Sequence, residues 1–204
     1  MSMSSPEHGS GAVSDWIQRW THLLPPRGEV LDLACGHGRH TRWFAERGHD
    51  VVALDKAAAA LQSLADMVVA GRVQTITADI EANPWPLMQQ DAPRRFDAVV
   101  VTNYLWRPLL PTIVRSLAPG GVLLYETFAD GNAVVGKPSR PDFLLQAGEL
   151  LRVCASLRIV AFEDGFCTQP DRFVQRIAAI HEVEQPSDQG ASPKARTRHR
   201  LDQV

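Results

Sequence analysis

Between Glu29 and Phe128 the chain repeats one pattern: an apolar run, a turn, then a stretch with apolar residues at helical spacing. "EVLDLAC" reads as a buried strand, and "HTRWFAERG" as a helix closed by Gly48. "HDVVALD" and "KAAAALQSLADMVVAG" repeat the unit, with the second helix ending at Gly71. "RVQTITADI" is a third strand, and "EANPWPLMQQDAPRR" is too rich in proline and polar residues for a regular element. "FDAVVVTNYL" lacks polar alternation, as a strand does when helices cover both of its faces. "LLPTIVRSLAPGG" reads as a helix with a Pro-Gly-Gly stop, and "VLLYETFA" as a fifth strand. Such alternation within about a hundred residues predicts an α/β domain built on a parallel, doubly wound sheet.

The flanks follow other rules. "SDWIQRWTHLLP" is a helix with Ser14 at its N-cap and Trp16, Ile17, Trp20, Leu23 and Leu24 at helical spacing. Beyond Ala129 comes a loop, then the short helix "AGELLRVCA". Two strands, "LRIVAFEDGF" and "RFVQRIAAIHEV", read as an antiparallel hairpin appended to the sheet. Residues 1–13 are expected to be a flexible leader, 14–184 a single domain, and 185–204 a disordered tail with almost no apolar content.

Composition narrows the class. With 45% hydrophobic and 22% charged residues and a net charge of −2, the chain is no broad phosphate-backbone binder. Cys35, Cys154 and Cys167 form neither a disulfide framework nor a CxxC zinc motif, which points to a reducing, cytoplasmic setting. No apolar run reaches the ~18 residues that span a bilayer. No metal ligand set is expected, and an arsenic-type chemistry would need the three thiols to converge.

The stretch "LDLACGHGRH" puts Gly36 and Gly38 where the first strand hands over to its helix. Ligands of doubly wound sheets sit at that turn, where bare backbone and helix amides meet them. A dinucleotide fingerprint would want a third glycine at 41, where Thr41 stands, and no Walker-type phosphate loop occurs. Acids mark three successive strands: Asp32 just ahead of the turn, Asp55 nineteen residues after Gly36, and Asp79 followed by Ile80. Asp55 is placed to accept from ribose hydroxyls, and Asp79 with Ile80 to meet an exocyclic amine and a purine face.

"VLDLACGHGRHTRWFAERGHDVVALD", "TADIEA", "FDAVVVTNYL" and "LAPGGVLLYETF", in that order, resemble the successive motifs of the class I S-adenosylmethionine-dependent methyltransferases. "YETF" with the following "GNAVVGKPSRPDFLL" resembles the small bacterial tellurite-resistance-like members. The resemblance implies the Rossmann-like methyltransferase fold, a seven-stranded, mostly parallel sheet with a C-terminal antiparallel hairpin. It implies S-adenosyl-L-methionine as cofactor, with Asp32 near the methionine amino group and Gly36 and Gly38 along the cofactor backbone. Asp55 would then hold the ribose, Asp79 and Ile80 the adenine, and Asn103 would sit beside the methyl group.

The acceptor is less legible. Trp16 and Trp20 serve either as core or as a substrate cage. Trp106 and Arg107 follow the fourth strand, and Tyr104 serves as a hydrogen-bonding or basic group or as a wall. Arg107 and Lys137 either recognise an anionic acceptor or remain solvated loop charges, and the long loop after the fifth strand also carries Arg140. The lid is expected from Trp16, Trp106 and the 130–145 loop. Without a further recognition domain, a small-molecule acceptor leads. An RNA acceptor rests on the basic "KARTRHR" tail, whose charge nearby acids balance, and a cofactor-binding module without turnover is a third reading.

Overall fold

The computed structural model describes residues 11–182 and 199–201. Seven strands form one sheet: β1 Glu29–Leu33, β2 Asp50–Asp55, β3 Val73–Thr77, β4 Phe96–Thr102, β5 Leu117–Phe128, β6 Arg158–Cys167 and β7 Arg172–Ile180. Their order is β3-β2-β1-β4-β5-β7-β6. The first five run parallel; β7 pairs antiparallel with both β5 and β6. Sequence order reverses between β1 and β4, which opens a crevice above their carboxyl ends.

Both faces of the central strands are buried. One face packs Leu31, Leu33, Val99, Val101, Leu123, Tyr125 and Ile177 against α5 (Leu110–Arg115) and α6 (Glu149–Val153). The other packs Val30, Val100, Val122, Leu124 and Ala178 against α1 (Asp15–Trp20) and α2 (Arg39–Glu46). This two-sided burial is why β4 carries no polar alternation. Ser14 caps α1, its hydroxyl accepting from Trp16 N at 3.2 Å.

Three elements depart from the sequence reading. The helix expected over residues 56–71 is broken into α3 (Ala58–Leu61), a 3₁₀ turn (Gln62–Leu64) and α4 (Ala65–Val69). Residues three apart eclipse in a 3₁₀ turn, and this keeps Leu61 and Leu64 together in the core. Secondly, α5 stops at Arg115 and β5 starts at Leu117, ahead of the Pro-Gly-Gly stop. Leu117 pairs with Phe96 and Val122 with Ala98, so the residues between them bulge from the ladder. A Cβ on Gly121 would lie 2.9 Å from the Phe96 carbonyl oxygen, which reserves that bulge for glycine. Thirdly, the proline-rich loop holds a two-residue antiparallel ladder, Met88–Gln89 against Ala92–Pro93.

The leader and tail expected at 1–13 and 185–204 fall largely outside the described residues. Among those described, the Arg200 carbonyl lies 3.0 Å from His22 Nε2. No helix of the described residues is long and apolar enough to cross a membrane.

Candidate active site

Two cavities open at the carboxyl ends of the strands, and Glu81 and Tyr104 line both. The first, about 200 Å³, is walled by Ala34, Leu54, Asp55, Lys56, Ala78, Asp79 and Ile80. The second, about 500 Å³, is lined by Asn103, Leu105, Thr127 and Phe128, and by Lys137, Pro138, Ser139, Arg140 and Phe143. Asp55, Asp79, Ile80, Asn103 and Tyr104 thus converge, although they come from three strand ends.

The turn after β1 is tied to the end of β2. Asp55 Oδ2 accepts from Gly36 N at 2.8 Å, and Asp55 Oδ1 from Ala57 N at 2.8 Å. Each oxygen retains accepting capacity, so the carboxylate is fixed yet still able to take a vicinal diol. Asp79 Oδ1 accepts from Glu81 N at 3.0 Å and Ala82 N at 3.2 Å, which holds the loop carrying Ile80 and Glu81. Asn103 adopts a positive φ of 54°, and its N–H donates to the Glu126 carbonyl at 2.9 Å, fixing the chain where it leaves β4.

Asp32 is buried beneath the turn, and Thr41 Oγ1 donates to its Oδ2 at 2.6 Å. Burial raises its pKa to about 6 against that hydrogen bond. Thr41, where a dinucleotide fingerprint would place glycine, thus serves as the partner of Asp32. The Tyr104 hydroxyl is buried without a hydrogen-bond partner among the described residues. Burial first, then the negative charge of Glu81, pushes its phenol above the ordinary range, so it stays a neutral donor.

Gly38 answers a packing requirement of its own. It starts α2 at a φ of 74°, and a Cβ there would lie 2.5 Å from Leu64 Cδ2. The glycine admits the Leu64 side chain against the turn. Gly38→Ala is expected to cost about 2–4 kcal/mol from left-handed strain and overpacking. In a urea-unfolding cycle with Leu64→Ala, the double variant should lose less than the sum of the single losses. Simple additivity would show the two sites independent.

The acceptor residues named from sequence need correction. Trp16 is 2% exposed and packs in the same core as Ile17, Trp20, Val122 and Leu124. Its indole N–H donates to the Ile177 carbonyl at 3.3 Å. An indole with its N–H satisfied inside the core is no cage wall. Trp106 packs partly buried against the opposite core and lines neither cavity. Arg107 is a clamp: it pairs with Glu149 at 2.8 Å and donates to the carbonyls of Asp142 and Leu144 at 2.9 and 2.8 Å. It fastens the 130–145 loop to α6 rather than meeting a ligand. That loop does line the larger cavity, through Lys137, Pro138, Ser139, Arg140 and Phe143. Cys35 and Cys154 lie in cores on opposite faces of the sheet, so the thiols do not converge.

Sequence reasoning missed Glu81, Phe128 and Phe143. Glu81 adjoins the Asp79–Ile80 pair, and that adjacency is its only signal. It missed also a charged cluster in which Glu126, fully buried, meets Arg172 at 3.3 Å and Arg176 at 2.6 Å.

Comparison with known proteins agrees with this geometry. Residues 30–121 match the family model described as a methyltransferase domain. A malonyl-[acyl-carrier protein] O-methyltransferase of Salmonella typhimurium is 37% identical over 103 residues, covering 50% of this chain and 40% of the relative. The chain spans less than half the length of the curated relatives it matches. TehB from Haemophilus influenzae superposes with a TM-score of 0.64 at 19% identity, over 85% of this chain and 63% of that one. The glycopeptide N-methyltransferase MtfA in complex with S-adenosyl-L-homocysteine gives 0.57 at 20% identity, over 87% and 93%. The ordered motifs, the strand order and these matches together show a methyltransferase domain over residues 30–121, on the Rossmann-like fold of the class I S-adenosylmethionine-dependent methyltransferases.

Proposed function

We propose that the protein transfers a methyl group from S-adenosylmethionine to a small-molecule acceptor held under the 130–145 loop. The observation that carries this reading is that Tyr104 and Glu81 line both cavities, which sets the Asp55–Asp79 side next to the loop-covered chamber. The residues of the smaller cavity fit the cofactor's chemistry: a fixed carboxylate for a diol, and apolar Leu54, Ala78 and Ile80 for a purine face. Asp32, beneath the turn, suits an ammonium. When bound, S-adenosylmethionine supplies an electrophilic methyl group on a sulfonium.

The chain's own contribution is alignment and exclusion of water. Tyr104 lines both cavities and Asn103 the larger one, where a side-chain amide can orient the acceptor's nucleophilic atom. Phe128, Phe143 and Leu105 give the chamber apolar walls, while Lys137 and Arg140 give it cationic groups. This lining suits an amphipathic molecule with an acidic group. The match to malonyl-[acyl-carrier protein] O-methyltransferases supports an acceptor of that kind.

Incubation with methyl-labelled cofactor, cell metabolites and RNA tests the reading. Label in the small-molecule fraction is expected. Label in RNA would overturn the acceptor class, and cofactor binding without transfer to any fraction would favour a binding module.

Asp32 gives a pH signature. Its folded pKa, about 6, exceeds the unfolded value of 3.8, so its ionisation costs stability as pH rises through that window. An ammonium ligand favours the ionised form, so S-adenosylhomocysteine affinity should fall about tenfold between pH 7 and pH 5. Calorimetry across that range checks it, and Asp32→Asn should flatten the profile.

Truncation after Gln185 should leave cofactor affinity and methyl transfer near those of the full chain, because the four basic residues of the tail are balanced by nearby acids. Lost transfer with retained cofactor affinity would move RNA ahead as acceptor.

A further inference from the structure

We infer that the acceptor is an amino-acid-like molecule, held by its carboxylate at Lys137 on the lid loop and methylated on an amine nitrogen beside Glu81 and Tyr104. The inference rests on the methyltransferase reading above and adds the acceptor's second group and the atom that receives the methyl.

The larger cavity is charged unequally on its two sides. Glu81 and Tyr104 line both cavities, so they mark the side next to the smaller one. There Asp55, Asp79 and Glu81 face a single cation, Lys56. The loop side of the larger cavity presents Lys137 and Arg140 and no acid. Arg140 is already engaged, paired with Asp142 at 2.8 Å and lying 5.2 Å over the Phe143 ring. Lys137 enters no ion pair among the described residues, which leaves it as the cation for a ligand.

Both sides are anchored. The Tyr104 carbonyl accepts from the hydroxyl of Tyr125, fully buried in β5, at 2.9 Å. The Tyr104 hydroxyl itself is buried without a partner among the described residues. On the loop, the buried Asn132 side chain donates to the Pro138 carbonyl at 2.9 Å and accepts from Phe173 N at 3.1 Å. The segment carrying Lys137 is thereby tied to β7.

This polarity orients an acceptor that carries both signs. A carboxylate beside Tyr104 would meet the like charge of Glu81, whereas at the loop it meets Lys137. An ammonium group has the reverse preference. A hydroxyl is a far weaker acid than an ammonium, and a carboxylate such as Glu81 is too weak a base to ionise it. An amino group titrates close enough to neutral pH for its proton to leave through Glu81 to water. The freed lone pair then forms a bond to the methyl carbon as the carbon–sulfur bond breaks, and that bond's electron pair stays on sulfur. The products are a protonated methylamine and a neutral thioether. The Tyr104 hydroxyl oxygen can accept from an N–H of the nitrogen and hold it in line.

Two measurements on the full chain test the inference. Mass spectrometry of the small molecules labelled by methyl-labelled cofactor locates the methyl group, and label on nitrogen is expected. Label in an ester or an ether would overturn the inference and leave the methyltransferase reading intact, whereas label in no small molecule would sink that reading. The second measurement needs no turnover. Length-matched pairs, β-alanine against malonate and γ-aminobutyrate against succinate, are titrated calorimetrically into the S-adenosylhomocysteine complex. In at least one pair the amino acid should bind about tenfold more tightly than the diacid. Lys137→Ala should weaken that amino acid about tenfold, its retained S-adenosylhomocysteine affinity reporting an intact fold. Glu81→Gln should erase most of the preference over the diacid. Diacids that bind as well as the amino acids, no binding by either class, or an amino acid that Lys137→Ala leaves unaffected would overturn the inference.

Discussion

Asp55→Ala should weaken S-adenosylhomocysteine binding by about 100-fold or more while the sheet remains folded. Two charge-assisted hydrogen bonds to ribose hydroxyls, worth roughly 1.5–3 kcal/mol each, are lost. The Gly36 and Ala57 amides also lose their acceptor, which loosens the turn against which the ligand rests. Asp55 lines a cavity instead of a core, so the unfolding midpoint should move little. Calorimetry for affinity and urea unfolding for stability make the comparison. Unchanged affinity would mean that the ribose lies elsewhere.

Glu126→Leu should have the opposite profile, with a large loss of stability. Its carboxylate answers Arg172 and Arg176, whose side chains are 19% and 15% exposed. Removing one partner of a buried ion pair leaves charge uncompensated and typically costs about 3–5 kcal/mol. Ser14 Oγ also loses its acceptor, so the start of α1 should loosen. Urea unfolding of the variant gives the value. A loss below about 1 kcal/mol, the range of exposed pairs, would mean that water solvates the cluster.

The contrast between these residues shows what a sequence carries. Asp55 is legible because its position depends on local facts: a strand must end, a turn must follow, and an acid at that end faces the crevice. The same holds for Asp79, Ile80 and the strands themselves, whose apolar runs report two-sided burial. Glu126 is not legible, since its partners lie at 14, 172 and 176 and only tertiary packing unites them. Trp16 is ambiguous for a different reason. Helical spacing shows which residues share a face but not whether that face meets a ligand or the sheet. Arg107 follows the fourth strand as an acceptor-binding arginine would, yet Glu149, forty-two residues on, takes it as an ion-pair partner. Gly38 belongs to the motif, although the side chain that demands it, Leu64, comes from the next helical segment.

A crystal structure with S-adenosylhomocysteine bound tests the central claim most directly. The predicted result places the adenosine in the smaller cavity, its ribose hydroxyls on Asp55, its purine against Ile80, and its sulfur facing the chamber beyond Tyr104. A ligand bound with its ribose away from Asp55, or outside that cavity, would contradict the account.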